Sequence, residues 1–262
     1  RVYSIGLSST QITGLYNETT SDNDTVEFPT GLPNGSVASI VSANANAGFS
    51  IVKWTGDGTR GMKTPHGLSA APELIILKDL SAANHWVVGN SQSGWTKAMH
   101  LDLTNADNTS DAYWFDTAPT STVFTTDALG TAYNVSGNEY IAYCWHSVSG
   151  YSKIGSYSGS GYTTKTVTTG FQPDFVMIKA STNSTAYTSW VIFDSVRYGS
   201  SSDTNPIYAN LSAAEGTRGN GSGNGDVLSI SFTSTGFQLV NNASDEMNDA
   251  NKNYIYAAFK IN

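Results

Sequence analysis

The chain has 262 residues, of which only 13% are charged, with a formal net charge of −8 and a single cysteine. Its Lys and Arg residues are dispersed, so it lacks the concentrated basic footprint that phosphate backbones and anionic membrane surfaces require, and neither nucleic acid nor a membrane is expected as a partner. One cysteine excludes an internal disulfide, and no apolar stretch approaches the length of a membrane-spanning helix.

Residues 1–47 open on the alternating run Val2-Tyr3-Ser4-Ile5-Gly6-Leu7, which predicts one strand, and continue through turn formers and acidic residues as an extended linker. Arg1 begins no signal peptide, and a start without Met fits a processed product or a fragment. From Gly48 the texture becomes regular. Strands are predicted at 49–54, 74–78, 86–89, 98–103, 122–125 and 140–145, each bounded by Gly, Pro, Asn or Asp. A second series follows at 152–157, 175–179, 190–193, 207–211, 228–232 and 254–259. Thr and aromatic residues favour strands, and long runs of Ala, Leu, Glu and Lys are missing, so the reading is all-β.

The second series repeats the first in order. Trp54 of KWTGDG falls opposite Tyr157 of SYSGSG, and Pro72 and Lys78 of APELIILK fall opposite Pro173 and Lys179 of QPDFVMIK. Trp86 matches Trp190, Phe124 matches Phe237, and Tyr140-Ile141 matches Tyr254-Ile255. Such self-similarity marks a duplicated structural unit. The expected architecture is two tandem related β-sandwich repeats, jelly-roll-like, at 48–149 and 150–262. The few residues from His146 to Gly150 between them are too short a connection for independent swinging, so the repeats are expected to pack as one rigid unit.

Taken together, SIVSANANAGFSIVKWTGDG, HGLSAAPELIILK, EYIAYCW, GYSKIGSYSGSG, FQPDFVMIK and YIYAAFK resemble a repeat of structural proteins of tailed bacteriophages, notably marine and cyanobacterial ones. The resemblance implies a place on the virion, in a tail fibre, tailspike or other appendage, with other virion proteins as partners, and it brings no catalytic constellation. It also implies a homo-oligomer, a trimer by analogy with phage fibres. Lys63-Thr64-Pro65 before His66 departs from the usual pattern of that repeat.

The chemistry-bearing residues fit that reading. His66, His85, His100 and His146 lie far apart without metal-ligand spacing and read as surface or turn residues, so no metal and no cofactor is expected. Glycoside cleavage needs two carboxylates across a cleft, and Glu73, Asp174 and Asp194 are the candidates. Glu73 and Asp174 are matched positions beside a proline, which favours a turn role for both. The clusters at Asp22-Asn23-Asp24 and 245–249 lack the full spacing of a calcium loop. The glycines of 216–226 are followed by no Lys-Ser or Lys-Thr pair and read as a surface loop. Cys144 lies in an apolar run and reads as a buried hydrophobe.

Aromatic residues remain, and the duplication sorts them. Trp54, Trp86, Trp145, Tyr140, Trp190, Tyr254 and Phe259 stand at matched strand positions and are expected in the core. Trp95, Trp114, Tyr162, Tyr187 and Tyr198 stand among turn residues and are the predicted ligand-binding rings, exposed to stack on sugar faces; subunit contacts are the alternative use. The expected function is non-enzymatic attachment to a host-surface glycan or receptor by a virion appendage. A purely structural virion component, such as a capsid decoration, collar or tail protein, is the alternative, and a polysaccharide-degrading tailspike is a further one.

Overall fold

Segments rich in Val, Ile, Thr and aromatics alternate with Gly- and Asn-bearing turns, and the chain folds accordingly as an all-β protein. The computed structural model describes residues 37–128, 133–161, 163–183, 188–198, 205–215, 228–239 and 246–261, the side chains of Asp111 and Tyr198 excepted. It divides into two compact units. Of the described residues, 37–97 and Ser110–Trp145 form the first, while Ala98–Thr109 joins 146–261 in the second.

The first unit contains β1 (Ser39–Asn44), β2 (Phe49–Thr55), β3 (Met62–Pro65), β4 (Leu74–Asp79), β5 (Val87–Asn90), the single helical turn α1 (Asp111–Trp114), β8 (Val123–Thr126) and β9 (Glu139–Trp145). Two short strands lie between β5 and α1 in the chain, β6 (Lys97–His100) and β7 (Asn108–Thr109). Strands β1-β2-β9-β4-β5 are neighbours in that order, all antiparallel, and β3 pairs with β8. The second unit holds β10 (Ser152–Ser158), β11 (Lys165–Thr168), β12 (Phe175–Ala180), β13 (Val191–Asp194), the turn α2 (Ser195–Tyr198), β14 (Ile207–Tyr208), β15 (Ile230–Thr233), β16 (Gly236–Leu239) and β17 (Asn253–Phe259). Its sheets run β10-β17-β12-β13-β14 and β11-β16-β15. One apolar cluster draws on both, with Val176, Ile178, Phe193, Tyr254 and Tyr256 from the first and Val167, Ile230, Phe232, Phe237 and Leu239 from the second.

Each unit is centred on the same three-ring construction. Trp54 stacks on Tyr140 at 5.4 Å and meets Phe124 edge-on at 5.5 Å; Tyr157 stacks on Tyr254 at 5.1 Å and meets Phe237 edge-on at 6.4 Å. The Tyr140 hydroxyl accepts from Val135 N, and the Tyr254 hydroxyl from Asp249 N, each at 2.9 Å. A buried Asn closes the adjoining loop in both: Asn134 Oδ1 accepts from Asp57 N and its Nδ2 donates to Thr59 O, while Asn248 Oδ1 accepts from Ser160 N and its Nδ2 donates to Gly161 O. Gly56 and Gly159 are required there, because a Cβ would collide with the carbonyl oxygens of Val135 and Asp249.

Two boundaries differ from expectation. Residues 39–44, assigned above to the segment preceding the repeat, form β1 and pair with residues 49–54 of β2, so the first unit begins before residue 48. Ala98–Thr109 belongs with the second unit rather than with 48–149. Polar contacts explain that placement: Trp190 Nε1 donates to His100 O, Thr188 Oγ1 and Lys179 Nζ both donate to Thr104 O, and Asp107 N donates to Ser181 O. The strand expected at 2–7 lies outside the described residues.

Candidate functional site

The site is built on one face of the β2-β9-β4 sheet. Strand side chains alternate between faces, and in β2 Ser50, Val52 and Trp54 point into the core while Phe49, Ile51 and Lys53 are only half-buried on the other side. The same alternation in β9 buries Tyr140, Ala142 and Cys144 and leaves Ile141, Tyr143 and Trp145 half-buried. Register then fixes three lines across this outer face: Phe49 beside Trp145 and Leu74, Ile51 beside Tyr143 and Ile76, Lys53 beside Ile141 and Lys78.

Aromatic side chains cross those lines in a continuous row. Phe49 stacks on Trp145 at 5.0 Å, Trp145 lies 6.3 Å from Tyr143, and Tyr143 stacks on Trp86 at 6.5 Å with 20° between planes. Trp86, Trp145 and Phe259, expected in the core because the duplication preserves them, are half-buried instead. The alternation of β9 puts Trp145 on the outer face, while Trp86 lies just before β5.

Cations border the row. Lys78 Nζ lies 5.9 Å from the Trp86 ring centroid and donates to the Asn84 carbonyl. Lys53 Nζ pairs with Glu139 Oε1 at 2.9 Å, both side chains being well exposed. A row of partly exposed ring faces edged by hydrogen-bonding groups can take a ligand having apolar C–H faces and polar rims, which describes a sugar chain.

The five rings predicted from sequence do not assemble into a site. Trp95 and Trp114 are 8% and 1% exposed, so their expected exposure is corrected. They pack edge to face at 5.4 Å and 87°. Gly89 of β5 makes the space, since a Cβ there would lie 2.5 Å from Trp114 and 2.6 Å from Trp95. Tyr162 and Tyr187 lie outside the described residues. Tyr198 closes α2, its side chain also outside them.

Other groups of interest are engaged in the fold. His66 is fully buried rather than at the surface; its Nδ1 accepts from Leu68 N and its Nε2 donates to Thr120 O, which fixes the tautomer. Asp174 accepts from Ser195 Oγ and Ile261 N, and Asp194 from Arg197. Asp79 is buried and accepts from Ser81 N, Ala82 N, Asn84 Nδ2 and Asn138 Nδ2. Burial pushes the Cys144 thiol pKa up, as an inert core sulfur requires. Among the described residues no group of three or more His, Cys, Asp or Glu is placed to hold a metal ion. The Gly-rich stretch at 216–226 and the cluster at Asp22-Asn23-Asp24 lie outside them.

Lys179 is the most unusual ionisable group. It is fully buried, donates to Thr104 O at 2.9 Å and Ala180 O at 3.2 Å, and its pKa is lowered to about 7 by burial and by the like charge of Lys252, against the opposing pull of Asp107. Above that pKa the amine is neutral with two N–H bonds, and two carbonyls accept them.

The fold and this face define an all-β protein with two compact units, one of which presents a half-exposed aromatic row. Within that class, the chain belongs to the family described as "Domain of unknown function (DUF7483)", matched over residues 29–262. No curated protein and no solved structure matches it.

Proposed function

We propose that this chain is a non-enzymatic attachment protein of a tailed-phage virion appendage. In this reading it consists of two copies of one β-sandwich unit, of which the first binds host-surface glycan through Phe49, Trp145, Tyr143 and Trp86. The observation that carries the reading is the unbroken row of four partly exposed rings across a sheet face. The phage context is supported by the sequence resemblance of the repeat. The duplicated unit is supported by the shared three-ring and Asn constructions.

A ring stacked on a sugar contributes on the order of 1 kcal/mol, so a single chain would bind weakly and homo-oligomeric display, as a trimer, would raise avidity. Glycan-array binding and cell adsorption test the proposal. Tyr143→Ser with Trp145→Ala should lower binding about tenfold or more, by the arithmetic of two such contacts. Unchanged adsorption by a folded double variant overturns it.

The same face favours one second reading, a purely structural virion component in which a neighbouring subunit covers the rings, because Tyr and Trp are also enriched at protein interfaces. The double variant would then lose self-association in light scattering and leave glycan binding absent in both proteins.

A further inference from the structure

Resting on the reading of the ring row as a glycan platform, we infer that it takes acidic glycans, sugars bearing a carboxylate, with Lys53 and Lys78 receiving the charge. Both lysines flank Ile141 in one register line, Lys53 on β2 and Lys78 on β4, on the face that carries the rings. With β9 between them, their stems stand about 10 Å apart, a distance that consecutive sugars of a chain cover. The row ends at Lys78 beside Trp86, and Lys53 stands across Ile141 from it on the same face.

Each ammonium has a donor to give. Lys78 turns one N–H to the Asn84 carbonyl and its charge toward the Trp86 face, which holds the head group at the end of the row. Lys53 is paired with Glu139, but in an exposed pair of this kind the net attraction is small, and an incoming carboxylate can share the lysine. On the outer face Lys53 and Lys78 stand with Glu139, while the buried Asp79 side chain accepts from Asn84 and Asn138, in a chain whose formal net charge is −8. The protein as a whole repels a polyanion, so retention of one depends on these local cations and weakens with salt.

The second unit lacks this arrangement. Opposite Lys53 stands Ser156, opposite Tyr143 stands Ala257, and the counterpart of Lys78 is Lys179, which is fully buried. The acidic-glycan site is a property of the first unit alone.

The experiment uses the full chain with two immobilised probes, polygalacturonate and the same polymer after reduction of its carboxylates to primary alcohols. The wild type should bind the polyuronate roughly tenfold more tightly than the reduced polymer, as charge-assisted hydrogen bonds predict, with the difference shrinking as salt rises. Lys53→Gln with Lys78→Met should remove that difference, in a protein with wild-type circular dichroism. Equal binding to both polymers by the wild type, or a preference that survives the lysine substitutions, overturns the inference while the ring row stands. Binding to neither polymer overturns the ring-row reading, and the inference with it.

Discussion

The two units share a frame and differ in what they do with one face of it. In the first, Phe49, Ile51, Tyr143, Trp145, Trp86 and Lys78 line the outer face half-buried; at the matched positions of the second stand Ser152, Ile154, Ala257, Phe259, Trp190 and Lys179. There Ile154, Ala257, Trp190 and Lys179 are buried, Trp190 and Lys179 being held against the Ala98–Thr109 segment. Trp86 and Trp190 therefore stand at matched sequence positions and differ in burial, half-buried in the first unit and in the core of the second. A sheet face is generic until something covers it. In the second unit, segment 98–109 contributes to that cover, and in the first the rings remain partly accessible.

The largest test of that contrast replaces the two tryptophans. Trp190→Ala removes a 1% exposed indole together with its bond to His100 O, and by the scale of large-to-small core substitutions should cost about 3–5 kcal/mol in chemical denaturation. Trp86→Ala should cost about 1 kcal/mol or less, since most surface changes are small, while weakening glycan binding. Comparable losses from both would mean that the first unit's face is as covered as the second's. Next in size, Asn134→Ala and Asn248→Ala each remove the partner of partly buried loop backbone groups. Each should cost roughly 1–3 kcal/mol and by similar amounts, since the two side chains hold equivalent loops. A large difference in urea midpoints would show that the shared geometry hides unequal stability.

Local pattern made the strands with strong apolar alternation legible in the sequence. The expected span at 175–179 is observed as Phe175–Ala180, and that at 140–145 as Glu139–Trp145. Strands such as β3 and β11, whose sequences MKTP and KTVT are short and polar or end in proline, carry no comparable signal. Their pairing with β8 and β16 is long-range and cannot be read locally. The candidate site was half legible. Duplication drew attention to Trp86 and Trp145, but which face each strand presents depends on register and on what covers it. Trp95 and Trp114 sit among turn residues yet are buried, because Gly89, distant from Trp114 in sequence, leaves a slot for both rings. Lys179 shows the same limit, since its acceptor Thr104 lies 75 residues away.

The matched lysines give a pH-dependent version of the comparison. Burial lowers the Lys179 pKa from 10.5 to about 7. Between those values the unfolded chain holds a proton that the folded chain has released, so stability rises as pH climbs through this window. Below about pH 7 both states are protonated, and the cost of burying the charge is then at its full, constant value. Lys179→Met should flatten the rise between pH 7 and 10 in thermal melts of the variant relative to wild type. Lys78→Met should leave it intact. Persistence of the full slope in Lys179→Met would move its origin to another group.

The smallest effect probes the frame itself. Tyr140→Phe and Tyr254→Phe each remove one hydroxyl acceptor, leaving Val135 N or Asp249 N without that partner, and each should cost about 1 kcal/mol. The ring stacks on Trp54 and Tyr157 are untouched, so glycan binding should not change. Tyr254→Phe has a further consequence that Tyr140→Phe lacks. Asp249, whose amide loses its acceptor, also pairs through its carboxylate with Lys252 at 3.7 Å, and Lys252 is the cation whose charge helps depress the Lys179 pKa. If loosening that loop carries Lys252 away, the pH window of Lys179 should shift upward in Tyr254→Phe while Tyr140→Phe keeps the wild-type profile. Identical profiles would show that the loop holds Lys252 in place without the hydroxyl.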